Sequence, residues 1–205
     1  MIDCGADWLG KLKSVAPSAI LLTHAHPDHA FGLARGAACP VFATEETWAL
    51  LSRYPIADRR LVQPGRAFTI AGIRFKAVAV QHSLRAPAVG YRISANGVSF
   101  FYVPDVALIP DSAKALRGVS LYIGDGATMV RSMVRQRGQV AIGHASIVAQ
   151  LRWCEAAGVK RAIFTHCGSG IVRNKARTMD ARISKLGGEH GIEASIAHDR
   201  LTLSL

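Results

Sequence analysis

The ten residues Ile20-Leu21-Leu22-Thr23-His24-Ala25-His26-Pro27-Asp28-His29 constrain this chain more than any other stretch. An aliphatic run, the mark of a buried strand, delivers three imidazoles and one carboxylate into six consecutive positions. Residues two apart on extended backbone project to the same side, so His24 and His26 point together, as two ligands of one cation must. Pro27 ends the extended run, because its ring fixes φ and removes the N–H. Asp28 and His29 then fall on the turn that follows, within reach of a second cation. Neutral imidazole suits zinc, and a carboxylate widens the choice to manganese or iron. The competing reading is a polar loop in which histidines cluster by chance.

The pattern His24-x-His26-x-Asp28-His29 after a hydrophobic strand resembles the signature of the metallo-β-lactamase superfamily of binuclear metallohydrolases. The resemblance implies an α/β fold of the αββα sandwich type. It also implies three further ligands downstream: a lone His, a lone Asp and a last His, each at a strand end. Candidates stand at all three places. Ile73 to Val80 reads as a strand and runs into His82; Val98 to Val103 runs into Asp105; Arg161 to Thr165 runs into His166. By resemblance, His24, His26 and His82 hold one divalent metal ion, and Asp28, His29 and His166 hold the other. Asp105 bridges the two. Zinc is the first expectation, with manganese or iron as alternatives. A hydroxide shared by the two ions is then the nucleophile, and Asp28 helps to orient it.

His144 points to the reaction. It lies 22 residues before His166, one helix and one strand away, and can return to the same rim. The segment from Gly143-His144-Ala145-Ser146 to Thr165-His166 is similar to the matching part of the phosphodiesterase branch. That branch includes transfer RNA 3′-processing nucleases and the cyclic phosphodiesterase of phosphonate degradation. There, a His at this place acts on the phosphate or protonates the leaving alkoxide, work that suits a group titrating near neutrality. A bare helix-capping role is the alternative for His144. No long basic, Gly-rich arm of the transfer RNA nuclease kind is present, so the expected substrate is a small or cyclic anionic phosphodiester. The rivals are a lactone, β-lactam or thioester hydrolase using the same ions, an inactive metal-binding domain, and a subunit of a nucleic-acid processing complex.

Composition narrows the setting. A net charge of +11 over 205 residues favours anionic partners, or belongs to a generally basic surface. The denser basic patches, Arg131 to Arg137 and Arg173 to Lys185, lack interleaved aromatics, so nucleic acid is only weakly indicated as a partner. No apolar run reaches the ~20 residues of a membrane span, and Met1-Ile2-Asp3-Cys4-Gly5 does not form a signal peptide. Cys4, Cys39, Cys154 and Cys167 are scattered, which fits reduced thiols in a cytoplasmic protein without a membrane partner. The superfamily often dimerises, but no homodimer interface stands out.

Residues 1–205 are expected to form one metallo-β-lactamase-like domain, since no linker or repeat divides them. In the superfamily a segment like Asp3-Cys4-Gly5 closes an N-terminal hairpin that starts some tens of residues earlier. Those strands are absent here, which would leave an unpaired sheet edge. Asp3 is expected near the metal loop or in a turn. Further expectations are short helices over Asp7 to Lys13 and from Ala30, and a strand at Val41-Phe42-Ala43. Thr44 should cap a helix to Leu51, and hairpins should turn at Ala71-Gly72 and Asn96-Gly97. Leu121 to Ile123 reads as a strand, followed by an unassigned Asp125. Ser146 or Ala145 should cap a helix that Gly158 ends. A basic helix from Arg173 to Leu186 should stop at Gly187-Gly188, and closing strands should follow at Ala194 to Ala197 and Leu201 to Leu205.

Overall fold

Alternation along the first strand sets the layers. In the computed structural model, which describes residues 1–203, Ile20 and Leu22 face one way and pack with Cys4, Leu33, Val41 and Ala43. Leu21 faces the other way and packs with Phe75, Ala77, Val89 and Tyr91. One two-residue period thus builds both an outer and an inner core.

Along the chain run α1 (Leu12–Val15), β1 (Ile20–Leu21), α2 (Pro27–Ala30), β2 (Val41–Ala43), α3 (Glu45–Leu50), β3 (Arg59–Leu61), β4 (Ala67–Ile70), β5 (Ile73–Val80), β6 (Ala88–Ala95) and β7 (Val98–Tyr102). Then come α4 (Ser112–Leu116), β8 (Leu121–Asp125), β9 (Arg135–Arg137), β10 (Val140–Ile142), α5 (Ile147–Ala157), β11 (Arg161–Thr165), α6 (Ser169–Val172), α7 (Ala176–Glu189) and β12 (Glu193–Ile196). A three-stranded parallel sheet, β1-β2-β3, faces a seven-stranded mixed sheet in the order β12-β11-β8-β7-β6-β5-β4. A third core packs α5 and α7 on the far side of the larger sheet, through Leu151, Cys154, Met179 and Ile183. The result is helix, sheet, sheet, helix.

Strand direction explains where a site can form. β7, β8 and β11 are parallel neighbours, and β5 is antiparallel to β6, which is antiparallel to β7. β5, β7, β8 and β11 therefore all end at one rim. Tyr91, fully buried, donates its hydroxyl to Leu22 O at 2.9 Å, and Val89 N–H donates to Thr23 O at 3.0 Å. These bonds tie the smaller sheet to the larger one beside that rim.

Local signals worked where side chains satisfy the backbone directly. Thr44 Oγ1 accepts from Thr47 N–H, and Ser146 Oγ accepts from Ala149 N–H, so both caps form as expected. Gly158 takes φ 75° and closes α5. Ala71-Gly72 and Asn96-Gly97 have positive φ at both positions, the geometry that suits two-residue hairpins.

Other expectations are corrected. Asp28 and His29 lie inside α2 rather than on a bare turn, because Pro27 is pre-set for the first helical position. The helix expected over Asp7 to Lys13 divides into a 3₁₀ turn at Ala6–Trp8 and α1. Gly187-Gly188 does not end α7, which starts at Ala176 and runs on to Glu189. Gly187 lies against Ala194 and the Ile192 carbonyl, where a side chain would collide, so this glycine serves packing rather than termination. Leu201 to Leu203 form no strand, and residues 204–205 of that expectation lie outside the described residues. β3, the β9–β10 ribbon, α4 and α6 had no counterpart in the sequence reading. β3 and β9 are exposed throughout, so they carry no buried face to betray them. Beside β1, Ile2 makes a parallel bridge to Leu21.

Candidate metal centre

The rim brings all eight sequence-predicted residues together. His24 Nε2 lies 2.9 Å from His26 Nδ1, and His82 Nε2 lies 3.4 Å from that same atom. Three nitrogens from a loop after β1 and the end of β5 thus converge. On the other side, Asp28 Oδ2 lies 3.1 Å from His166 Nε2 and 3.6 Å from His29 Nε2. Asp105 sits between the groups, with Oδ2 2.6 Å from His29 Nε2 and 3.7 Å from His24 Nε2. Its Oδ1 is 3.3 Å from His166 Nδ1.

Neighbours fix several of the rings. His82 Nδ1 donates to Gly143 O at 3.0 Å, and His29 Nδ1 donates to Asp3 Oδ2 at 2.8 Å. Each bond leaves the Nε2 lone pair turned inward, the usual support for a ligating histidine. Asp3 also accepts from Thr23 N–H at 2.7 Å and from Thr23 Oγ1, so it braces the metal loop as well as His29. Gly5 allows this closeness, since a side chain there would strike the Asp28 carbonyl. His166 adopts a left-handed backbone, φ 51°, which swings its ring to the rim at the end of β11.

Electrostatics divide the cluster. Burial, reinforced by its histidine neighbours, lowers the His24 pKa to about 2, keeping the ring neutral. Burial also lowers His26 and His82. At His29 burial acts downward, but the close carboxylates of Asp105 and Asp3 prevail and raise the pKa to about 10. Burial opposes ionisation of Asp105, yet the close His29 and His166 rings hold its carboxyl well below the usual range.

Four buried atoms have no hydrogen-bond partner among the described residues: His29 Nε2, both Asp105 oxygens and His166 Nδ1. His29 Nε2 and Asp105 Oδ2 are close but not aligned to bond each other. An unmet buried polar group costs about 1–3 kcal/mol, so four at one point would be a heavy cost unless something else satisfies them. A cation does so, and the donor set of imidazoles and carboxylates fits one. His24, His26 and His82 form one group close enough to hold an ion, and Asp28, His29 and His166 form another.

Sequence reasoning left Asp125 and Gln150 unassigned, and both matter. Asp125 is fully buried at the end of β8 and accepts from His144 Nδ1 at 2.8 Å. That bond raises the His144 pKa. Gln150, fully buried on α5, accepts from Asp125 N–H and from the Tyr122 hydroxyl, and donates to Asp125 O. Helix α5 therefore holds Asp125, and Asp125 holds His144. A buried glutamine within an otherwise apolar helix face was the available signal. Cys167 points its Sγ toward Phe164 O and packs on the core, as expected for a thiol outside the metal cluster. His190 and His198 pair with Glu155 and Asp180, away from the rim.

A family model described as "Beta-lactamase superfamily domain" matches residues 1–167. The chain belongs to this family. Its fold is the metallo-β-lactamase fold. The metallo-β-lactamase fold protein YhfI from Bacillus subtilis superposes with a TM-score of 0.70 at 16% identity, covering 96% of this chain and 82% of that one. A new diphosphatase from the PhnP family superposes with a TM-score of 0.71 at 23% identity, covering 98% and 76%. Exodeoxyribonuclease YycJ of Bacillus anthracis is 28% identical over 114 residues, 52% of this chain and 43% of that protein. The chain thus spans less than half the length of this curated relative. No helix among the described residues is long and apolar enough to cross a membrane.

Proposed function

We propose that this family member is a binuclear metal-dependent phosphodiesterase acting on a small or cyclic phosphodiester. His24, His26 and His82 hold one divalent ion, Asp28, His29 and His166 hold the second, and Asp105 lies between them. Zinc is the first choice, with manganese or iron as alternatives. Two such ions activate a water for attack and stabilise charge on the entering and leaving oxygens. Asp3 and Gly143 O keep His29 and His82 in the ligating tautomer. The four free cysteines agree with a cytoplasmic setting.

One observation carries the phosphodiester reading: half-buried His144, held by the fully buried Asp125 beside the metal cluster. Asp125 accepts a hydrogen bond from Nδ1–H at 2.8 Å, so Nε2 is left to pass a proton to a leaving alkoxide. A phosphodiester needs such an acid, because its leaving group is poor. The test pairs elemental analysis with turnover of bis(p-nitrophenyl) phosphate. The expected result is about two ions per chain and clear turnover. His144→Ala should keep both ions and lose about 10²–10⁴-fold in kcat on an alkyl phosphodiester. Full activity in that variant would refute the role of His144, and turnover of lactones or β-lactams alone would replace the substrate class. The likeness to an exodeoxyribonuclease favours a second reading, in which the phosphodiester belongs to a nucleic acid. Binding to DNA or RNA that weakens steeply with salt would support it.

A further inference from the structure

Beside His144 lies a cavity of about 600 Å³ that neither the ions nor the proton transfer needs. Its lining includes Thr128, Arg131, Ser132, Met133, Arg135 and His144. The β9–β10 ribbon builds its wall. Arg135 pairs with Ile142, and the same register carries on to Met133, whose N–H donates to His144 O at 3.0 Å. Gly143 permits this approach, since a side chain there would strike the Met133 carbonyl. The wall is therefore fixed to the catalytic histidine itself.

The cavity is positive and partly apolar. No carboxylate lines it, and neither Arg131 nor Arg135 makes an ion pair among the described residues, whose arginine pairs are Arg60–Asp58 and Arg161–Glu193. Met133, on the lining, is 53% exposed. Guanidinium groups without counter-charge are ready to fork onto a phosphate. Exposed apolar surface beside them suits a flat ring. A second cavity of about 460 Å³ shares Thr128, Met133 and His144 and reaches His166 at the edge of the cluster. Both volumes lie within the usual range for small-ligand sites.

We infer that this cavity holds a second phosphate on the leaving side of the substrate, so that the leaving group is a phosphorylated nucleoside. The inference rests on the phosphodiesterase reading and on His144 facing the leaving oxygen. In the reaction, water's oxygen bonds to phosphorus, the bond from phosphorus to the leaving oxygen breaks, and a proton ends on that oxygen. Arg131 and Arg135 grip the second phosphate, and Met133 carries the ring.

Calorimetric titration of the metal-free protein with thymidine 3′,5′-bisphosphate and with thymidine tests this without relying on turnover. Arg131→Ala/Arg135→Ala should weaken bisphosphate binding by about tenfold or more and leave thymidine binding little changed. Arg177→Ala/Arg182→Ala removes equal charge from exposed positions on α7 and should not weaken it. Equal losses in the two double variants, or none in the first, would overturn the inference. In the loaded enzyme, a dinucleotide with a terminal phosphate should be preferred over one without, and the first variant should lose that preference. Absence of bis(p-nitrophenyl) phosphate turnover by the wild type would sink the phosphodiesterase reading instead, whatever the titrations give. A short oligothymidylate that binds more tightly than the bisphosphate would place the second phosphate in a nucleic-acid strand; weaker binding would assign it to a free nucleotide.

Discussion

Replacing Asp3 by asparagine separates two jobs that one carboxylate performs. Oδ1 accepts from Thr23 N–H at 2.7 Å, and Oδ2 accepts from His29 Nδ1 at 2.8 Å. Asp3, Thr23 and His29 are all nearly inaccessible to water. Asparagine keeps one oxygen for Thr23 but turns an NH₂ group toward His29. That donor suits only an imidazole with an unprotonated Nδ1, which puts the proton on Nε2, the nitrogen that faces Asp105 and Asp28. Two effects follow. Loss of a charge-assisted hydrogen bond to a buried group costs about 1.5–3 kcal/mol, so metal-free Asp3→Asn should be destabilised by about that much in guanidinium unfolding. On the proposed ligand set, an ion at Asp28, His29 and His166 should also bind about 10–100-fold more weakly, as expected when the partner of a ligating histidine is lost. The ion at His24, His26 and His82 should be affected far less. Metal content measured after dialysis against a graded chelator should fall from about two ions to about one per chain. Retention of both ions at wild-type affinity would refute the tautomer argument. Equal loss of both would show that Asp3 acts by bracing the whole loop. Asp3→Ala is a useful contrast, since it strands Thr23 N–H and His29 Nδ1–H together and should cost more stability than asparagine does.

Two further outcomes are expected. His29 has a folded pKa of about 10 against an unfolded reference of 6.5, so its stabilising pair with Asp3 and Asp105 is complete below pH 6.5 and fades as pH rises toward 10. An incoming ion must displace that proton, so metal affinity, followed by competition with a coloured chelator, should rise by up to about tenfold per pH unit across the same window; a flat profile would contradict it. Ala71 holds φ 47° at an exposed hairpin turn, so Ala71→Asn should stabilise by about 0.5–1 kcal/mol and raise Tm by roughly 1–4 °C in a thermal melt.

Much of the site was legible in the chain because its signals are local. The spacing His24-x-His26-x-Asp28-His29 puts four candidate ligands within six residues, so they reach the rim together even though Asp28 and His29 lie in α2 and not on the expected turn. His82, Asp105 and His166 each follow an apolar run that can only be a strand. Caps at Thr44 and Ser146 and the Asn96-Gly97 turn belong to the same class, since partner and signal lie within four residues. Sequence by itself therefore pointed to the residues that cluster at the rim, the strand ends that carry three of them and the layered α/β fold. Tertiary structure alone decided what depends on distant partners. It gave Asp125 its meaning by bringing His144 from 19 residues away, and it kept Gly187 inside a helix because β12 lies against it. It also set the left-handed turn at His166 and drew the β9–β10 ribbon up to His144, where the exposed, polar β9 leaves no hydrophobic period to read. Local patterns encode what one segment does with its own backbone; burial, charge pairing and close approach belong to two segments at once, and only the folded chain brings those together.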